Sequence, residues 1–358
     1  MHSRYSHPHP SRRGLTLIEV LVVLFIFAIL LTLVMSHLSS PRTSRRIDCL
    51  SNIRNVGMAM QTFASANNGQ LPCMIDSAGY NWPVQLLGQL DQSQLITAGP
   101  KYFGNNLNAN SVGIKVLTCP TDYNNFGSPF GLSYVVNAGA GQWTIGSDGW
   151  AEQYAETGPN DEFAVTRLHW GDIDWDGGGI TRLSDLEIAH DTGVFHRAYF
   201  DGTPSAPGAE LGPFRMTLDQ IQQNDGQTQT LLLGENKNAM NWGYSTLGSA
   251  TGNGVIQTAF TINGSPATGD VVFAGTPESP LAIASIDAAG NSWINAARGR
   301  QGATPTLSSN HPGVVNVIFC DGSARQLSET IDRSVYVRLM SSGGVRRGQL
   351  PQITSDDY

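Results

Sequence analysis

One run of apolar residues near the amino terminus constrains this chain more than any other feature. The run extends from Leu15 to Met35, and its polar members are Thr16, Glu19 and Thr32. A helix of this length spans about 30 Å, the thickness of the hydrocarbon core of a bilayer. Glu19 is the anomaly, because a charged side chain at the centre of a membrane costs roughly 2.5–3.5 kcal/mol. The sequence therefore predicts a membrane-spanning helix in which an acid close to the start has a function.

Three kinds of segment could account for this run. A secretory signal peptide would end in a small-x-small cleavage site, and the residues after Met35 offer only a poor one. A plain anchor has no need of Glu19, although an acid near a helix end can reach the lipid headgroups. The third kind is indicated by Arg12, Arg13 and Gly14, which directly precede the run.

A basic leader, a glycine and an apolar helix with glutamate at its fifth position together resemble the class III signal of type IV pilins and type II secretion pseudopilins. The resemblance implies a leader over 1–14, cleavage by a prepilin peptidase between Gly14 and Leu15, and methylation of the new amino terminus at Leu15. Leu15 stands where this family usually has phenylalanine. In such assemblies the acid pairs with the amine of a neighbouring subunit. A paired charge is tolerated where an isolated one is not, so Glu19 is expected to set the register of assembly.

A second helical pattern follows the apolar run. After Pro41, apolar residues recur every three to four positions, and the pattern ends at a helix-stop signal, Asn67-Asn68-Gly69. Pro41 itself is expected to kink or interrupt the helix. The pattern predicts an amphipathic helix packed on a globular head, and its apolar stripe consists of Ile47, Leu50, Ile53, Val56, Met60 and Phe63.

These patterns divide the chain into five parts. After the leader come a transmembrane helix over 15–36, an amphipathic helix over 37–68, a head over 69–344 and a tail over 345–358. Residues 1–54 hold seven arginines against two acids, a net charge of +5, whereas the remaining residues carry a net charge of −13. A body this acidic argues against nucleic acid as a partner, because phosphates require a basic face.

Four short segments of the head carry a second, narrower resemblance. In order they are TCPTD (118–122), SYVVN (133–137), LLLGEN (231–236) and HPGVVNVIFCDG (311–322). With the segment RRIDCLSNIRNVGMAMQTFASANNGQLP and the tail YVRLMSSGG, they resemble a large bacterial family of pilin-like proteins with a domain of unknown function. The resemblance covers residues 12 to about 344. Its motif residues in this chain are Cys119, Asp122, His311, Asp321 and Gly322.

The fold that the resemblance implies is α+β, of the type IV pilin or pseudopilin kind. A long N-terminal helix would pack on a mainly antiparallel β head. Within the head, the apolar run 314–319 followed by Asp321-Gly322 predicts a hairpin over 314–327.

The His-x9-Asp-Gly motif is interpreted as structural. His311 and Asp321 would lie about 30 Å apart on one extended strand, which excludes a catalytic dyad between them. Asp321 would shape the turn, and His311 would form hydrogen bonds near the strand entry. A site that His311 forms with residues from elsewhere in the chain remains the alternative.

The four cysteines are Cys49, Cys73, Cys119 and Cys320, and no two of them form a Cys-x-x-Cys pair. This spacing makes a thiolate zinc site unexpected. If the body lies outside the cytoplasm, one or two disulfides can form, and two bridges allow three pairings. Cys49 and Cys320 can equally be small buried apolar residues.

The strongest ligand candidate in the sequence is the loop GDIDWDGGGITRLSDLE (171–187). Three aspartates alternate before a glycine, as in the first half of a calcium loop. The second half departs from that pattern, because Leu183 stands at position 12. Calcium is therefore the one cofactor to consider, with an acidic glycine-rich surface loop as the alternative. The candidate ligands are Asp172, Asp174, Asp176 and Asp185.

No Gly-x-Ser-x-Gly, His-Glu-x-x-His or Walker-type motif occurs in the sequence, so no enzymatic activity is expected. The sequence predicts a structural subunit or accessory of a type II secretion or type IV pilus-like assembly. A single N-terminal helix would anchor it in the inner membrane, with the head in the periplasm or outside the cell. The expected partners are prepilin peptidase and other pilin-like subunits, of the same or a different kind.

The alternative is a surface or periplasmic protein that uses the signal only for export and anchoring. It would bind calcium or glycan through residues 143–187. The aromatic residues that cluster there are Trp143, Trp150, Tyr154, Trp170 and Trp175.

Overall fold

The structure is a computed structural model, and the chain divides in it into two compact units, Met1–Ser44 and Arg45–Tyr358. We describe each unit by itself. The residues that the structure describes are 14, 16–37, 41–74, 76, 80–97, 112–141, 190–196, 214–237, 239, 242, 258–263, 294–295 and 306–347.

The first unit contains helix α1, which extends over Leu17–His37. From Leu17 to Leu31, every large apolar side chain of this helix is exposed. Within the part of the chain that the structure describes, no helix is both long and apolar enough to cross a membrane.

Helix α2 extends over Pro41–Ala66. Proline suits the first turn of a helix, since its φ is already helical and its missing N–H has no partner there. The helix therefore begins at Pro41, in agreement with the expected interruption at that residue. It ends where the helix-stop signal predicts, and Asn68 and Gly69 both take positive φ, at 54° and 80°.

The buried face of α2 agrees with most of the predicted stripe. Ile53, Val56 and Met60 are fully buried, and Leu50 is partly buried against the core. The prediction is wrong at Ile47, which is 63% exposed. The buried face instead begins at Cys49, and two residues turn a helix by about 200°, so Ile47 points to the other side.

In the part of the second unit that the structure describes, five strands form a central sheet. Its order is β3-β1-β2-β4-β5. Strand β1 pairs antiparallel with β2, β2 with β4 and β4 with β5, whereas β1 and β3 are parallel. The sheet is thus mixed rather than wholly antiparallel. The strands are β1 (Tyr134–Gly141), β2 (Leu231–Glu235), β3 (Ala259–Asn263), β4 (Val314–Phe319) and β5 (Ala324–Ser328).

The predicted late hairpin is confirmed, and it extends one residue further than expected. Strands β4 and β5 pair from Val314 with Ser328 to Ile318 with Ala324. The turn between them contains Gly322 at φ 81°, a conformation that favours glycine.

Helix α2 packs directly on this hairpin. A Cβ built on Gly57 would lie 2.9 Å from Cγ2 of Ile318 on β4, so a larger residue at this position would require the Ile318 side chain to shift. Close by, Gln61 Nε2 donates to the carbonyl of Cys320 at 2.6 Å. Among the described residues, the other helices are α3 (Trp82–Gln85), α4 (Ser93–Thr97), α5 (Leu218–Gln223) and α6 (Arg333–Met340), with 3₁₀ turns at Lys115–Leu117 and Gly344–Arg347.

Candidate functional site

The start of α1 is closed by a capping box. Glu19 Oε2 accepts hydrogen bonds from Thr16 N at 2.8 Å and Thr16 Oγ1 at 3.0 Å, and Glu19 N donates to Thr16 Oγ1 at 3.4 Å. This reciprocal pattern is the one that Thr-x-x-Glu forms at a helix N-terminus. The Thr-x-x-Glu spacing of Thr16 and Glu19 carries the signal for this cap, and the interpretation of Glu19 as a register residue did not include it.

The two residues at the expected cleavage point precede this box. Gly14 is exposed, and a Cβ built there would meet nothing within 4 Å. Leu15 lies outside the described residues. The Glu19 carboxylate is directed back toward Thr16, two residues after Gly14.

The head contains a buried polar cluster of Cys49, Cys119, Glu235 and His311, which we name the four-residue cluster. One ligand-type atom from each residue lies within 4.8 Å of the others. The four side chains are 0%, 3%, 2% and 4% exposed. They come from α2, the segment before β1, the end of β2 and the segment before β4. Three of the four head motif segments thus meet helix α2 at one point.

A disulfide joins Cys49 to Cys119 across 70 residues. In the chain-entropy model, closing a loop of this length stabilises the folded state by about 4 kcal/mol. Thr121 Oγ1 lies 3.7 Å from Cys49 Sγ and 3.0 Å from Cys119 Sγ. Cys49–Cys119 is one of the cysteine pairings that the sequence left open. The bridge joins α2 covalently to the TCPTD segment.

The other two cysteines are buried thiols outside this cluster. Burial raises the pKa of Cys73 to about 11, and burial likewise raises the pKa of Cys320 well above its ordinary value. Both are therefore protonated, and weakly reactive, at neutral pH.

One ring nitrogen of His311 faces two members of the cluster. His311 Nε2 lies 3.2 Å from Glu235 Oε1 and 3.7 Å from Cys119 Sγ. A Cys–His–Glu triad would use the two ring nitrogens for separate partners, so this arrangement is not one. The partners of these side-chain contacts come from distant segments, as in the alternative of a site that His311 forms with residues from elsewhere in the chain. Its local bond is that of its backbone N–H to Ser309 Oγ at 3.1 Å.

Glu235 is held in place by β4. Its Oε2 accepts from Asn316 N at 2.9 Å, and its Oε1 accepts from Asn316 Nδ2 at 2.9 Å. Gln326 Nε2 on β5 donates to Asn316 Oδ1 at 3.0 Å, and the guanidinium of Arg46 donates to Gln326 Oε1. A chain of hydrogen bonds therefore runs from the buried carboxylate to α2.

Asp122 belongs to a separate set of hydrogen bonds beside the cluster. It accepts from Ser133 Oγ at 2.7 Å, Asn125 Nδ2 at 2.8 Å and Asn124 N at 3.2 Å. Burial raises the pKa of Asp122, and these donors oppose that rise. Asp122 thus joins the TCPTD segment to the SYVVN segment that begins β1.

Asp321 and Gly322 lie at the β4–β5 turn, away from the partners of His311. Asp321 Oδ1 accepts from Ser323 N at 2.8 Å, and Gly322 N donates to the carbonyl of Phe319 at 2.9 Å. These contacts hold the turn.

The tentative calcium ligands lie outside the described residues, as do the aromatic residues of 143–187. The ligands concerned are Asp172, Asp174, Asp176 and Asp185.

Comparison with known proteins gives one family match to most of the chain and a second to its N-terminal segment. A family model described as Protein of unknown function (DUF1559) matches residues 39–334. A second, described as Prokaryotic N-terminal methylation motif, matches residues 9–35. No curated protein and no solved structure matches the chain. The chain belongs to the DUF1559 family of proteins of unknown function and begins with a prepilin-type N-terminal methylation motif.

Proposed function

We propose that this protein is a structural subunit or accessory of a type II secretion or type IV pilus-like assembly, anchored in the inner membrane through its N-terminal end. The observation that carries the proposal is the methylation motif over 9–35, which contains Gly14, Leu15 and Glu19 in the order that processing requires. Prepilin peptidase would cut after Gly14 and methylate Leu15. The proposal assigns no catalytic step to the chain itself.

The position of the Glu19 carboxylate supports an assembly role. Glu19 Oε2 is 2.8 Å from Thr16 N, so the charge lies at the amino-terminal end of α1. Cleavage after Gly14 creates a cationic amine at this end of the helix. An acid and an amine in an apolar setting each need a partner, and neighbouring subunits in register supply both.

The apolar side chains of α1 support the same conclusion. Thirteen large apolar side chains between Leu17 and Leu31 are exposed on the isolated chain. An apolar surface of this extent marks a contact with lipid or with other proteins. Lipid would cover it before assembly, and the corresponding helices of other pilin-like subunits would cover it afterwards.

The disulfide supports placing the head outside the cytoplasm. Disulfides persist in oxidising compartments such as the bacterial periplasm and the cell surface. The bridge between Cys49 and Cys119 belongs to the head, so the head would lie in the periplasm or outside the cell.

Intact mass and N-terminal sequencing of the protein from the membranes of its own host test this proposal. The expected product begins at Leu15 and carries one added methyl group. The matched control is Gly14→Val, which should leave the chain uncleaved because the added side chain blocks the scissile position. A wild-type chain that begins at Met1, or that is cut after residue 35, would refute the proposal.

A further inference from the structure

The four-residue cluster places an imidazole nitrogen and a carboxylate oxygen beside the two sulfurs of the disulfide. We propose that, when the Cys49–Cys119 disulfide is reduced, the cluster binds one zinc ion through the two thiolates, His311 Nε2 and Glu235 Oε1. The proposal depends only on the contacts within the head and is independent of any role in a pilus or secretion system.

The distances around His311 already suit a tetrahedral site. Zinc bonds of about 2.0–2.3 Å place the ligand atoms of a tetrahedron about 3.3–3.8 Å apart. His311 Nε2 is 3.7 Å from Cys119 Sγ and 3.2 Å from Glu235 Oε1. The change that zinc requires is the separation of the two sulfurs after the bond between them is broken.

The chemistry of the donors selects the metal. Two thiolates, an imidazole and a carboxylate suit a borderline-soft divalent ion, whereas calcium and magnesium prefer oxygen ligands alone. All four side chains are at least 96% buried, as in a closed structural site.

A surrounding shell holds the ligands in orientation. Asn316 donates to both oxygens of Glu235, and an oxygen with two lone pairs can accept from Asn316 Nδ2 and still bind a metal ion. Thr121 Oγ1 lies beside both sulfurs. Outer contacts of this kind orient metal ligands, and their loss typically weakens metal binding about 10–100-fold.

Two chemical steps convert the disulfide into a metal site. A dithiol reductant gives two electrons and two protons to the disulfide, so that the sulfur–sulfur bond breaks, two thiols form and the reductant becomes a disulfide. Zinc binding then releases the two thiol protons. Neutral His311 with its proton on Nδ1 supplies the Nε2 lone pair, and with the Glu235 carboxylate the site carries a net charge of −1.

The absence of a Cys-x-x-Cys pair excludes only sites made of neighbouring cysteines. Here the four ligands lie at positions 49, 119, 235 and 311 and meet through the fold. A metal ion bound to such distant segments stabilises the folded state, because the unfolded chain does not hold the ligands together.

Cobalt titration of the full chain in detergent tests the proposal directly. The chain is reduced in urea with a trialkylphosphine, which takes up the oxygen of one water molecule and leaves two thiols, and is then returned to native buffer. We expect one Co²⁺ per chain with thiolate-to-cobalt charge-transfer absorption, which an equimolar amount of Zn²⁺ abolishes. The oxidised chain should show no such absorption.

Variants assign the ligands. Cys49→Ser and Cys119→Ser should each lower cobalt affinity at least 100-fold, and Asn316→Ala should lower it about 10–100-fold. Cys73→Ala and Cys320→Ala are the matched controls, and they should retain the absorption and the stoichiometry. Retention of the absorption in Cys49→Ser, or its absence from a reduced wild-type chain that circular dichroism shows to be folded, would overturn the proposal.

Alkylation of the wild-type chain provides a test that needs no variant. In the reduced chain, Zn²⁺ should slow the reaction of Cys49 and Cys119 with iodoacetamide at least tenfold, measured by peptide mass spectrometry. The same reaction in urea is the reference, and Zn²⁺ should leave the rates at Cys49 and Cys119 much less affected there, because the unfolded chain does not hold the ligands together. Equal rates at Cys49 and Cys119 with and without Zn²⁺ would contradict zinc binding.

Discussion

His311 Nε2 lies 3.2 Å from Glu235 Oε1, although the two residues are 76 positions apart in the chain. Both side chains are buried, at 4% and 2% exposure. The contact joins the LLLGEN segment, at the end of β2, to the start of the HPGVVNVIFCDG segment, just before β4. Two motifs that are separate in the sequence therefore form one structural unit.

Removing the carboxylate should destabilise the head. Glu235→Ala deprives His311 and both donors of Asn316 of their acceptor, and breaking a buried pair in this way costs about 3–5 kcal/mol. Urea unfolding of the full chain, followed by tryptophan fluorescence, measures the loss. Glu235→Gln retains one acceptor oxygen and should cost less. The control is Glu329→Gln at an exposed residue, and its free energy of unfolding should stay within about 0.5 kcal/mol of wild type. An equally small change for Glu235→Ala would refute the prediction.

Reduction of the disulfide should lower the free energy of unfolding by about 4 kcal/mol, because the unfolded chain regains the freedom of a long loop. The measurement is the urea midpoint with and without reductant. In the double variant Cys49→Ala/Cys119→Ala the midpoint should no longer respond to reductant, whereas Cys73→Ala should keep the full response. A response that persists in the double variant would place the disulfide elsewhere.

Filling the space at Gly57 should destabilise the contact between α2 and β4. A Cβ there would lie 2.9 Å from Ile318 Cγ2, and overpacking of a core costs about 1–3 kcal/mol. Alanine gains about 1 kcal/mol of helix propensity over glycine, so the net loss for Gly57→Ala should be about 0–2 kcal/mol.

A second background separates these two effects. In an Ile318→Ala chain the clash is absent, and Gly57→Ala should become neutral or stabilising. Gly88→Ala, in the turn after α3, is the control for adding a methyl group without a clash, since nothing lies within 4 Å of a Cβ at that position. Equal effects of Gly57→Ala in both backgrounds would show that packing against Ile318 does not limit this position.

Acid should destabilise the head through two buried histidines. His190 stacks on Phe214, and His196 packs edge-on against both rings. Burial, with the charge of His196 as a second cause, lowers the pKa of His190 to about 2, and burial lowers the pKa of His196 to about 4, from an ordinary value of 6.5. Between pH 6.5 and 4 the unfolded chain therefore binds more protons than the folded chain, and the free energy of unfolding decreases as the pH falls.

The expected loss between pH 7.5 and pH 5 is about 2 kcal/mol for each histidine. Urea unfolding at a series of pH values measures it, and His190→Gln and His196→Gln should each flatten the curve in this range. The raised pKa of Asp122 acts in the opposite direction, since its effect favours the folded state at low pH. An unchanged pH dependence in both histidine variants would contradict the prediction.

Neutralising Glu19 should prevent assembly without unfolding the head. Glu19→Gln retains a side-chain oxygen that can close the capping box with Thr16, but it lacks the charge that pairs with an amine. Thr16→Ala does the reverse, because it removes the capping hydroxyl and keeps the charge. Crosslinking of subunits in host membranes should show loss of multimers for Glu19→Gln and retention for Thr16→Ala.

Formation of the Cys49–Cys119 bridge, seen on a non-reducing gel, shows in the same samples that the head is folded. Full assembly of Glu19→Gln would contradict a role of the Glu19 charge in assembly. Absence of multimers from the wild-type chain would favour a protein that uses the signal only for export.

Local patterns in the sequence predicted the elements whose contacts are local. The hairpin of β4 and β5 followed from an apolar run and an Asp-Gly turn, and the end of α2 followed from its asparagines and Gly69. The failure at Ile47 is also local, because the presence of apolar residues on both sides of the helix obscured which side faces the core. The capping role of Glu19 was available from Thr-x-x-Glu.

The four-residue cluster could not be predicted in the same way. His311 contacts Cys119 across 192 residues and Glu235 across 76. The spacing of residues along one strand predicts the distance from His311 to residues of the same segment, such as Asp321. It does not predict contacts with distant segments. The parallel pairing of β1 with β3 is likewise determined by the packing of distant segments, as is the choice of Cys119 as the partner of Cys49.

The disulfide also has a mechanical consequence. Cys49 lies near the start of the part of α2 that belongs to the head, so tension applied to the chain at Arg45 reaches the bridge within about one helical turn. A covalent bond then passes the force to the TCPTD segment, and from there to β1 through Asp122 and Ser133. Force applied from this end therefore does not act on the noncovalent contacts between the sheet and the part of α2 beyond Cys49 until the sulfur–sulfur bond breaks.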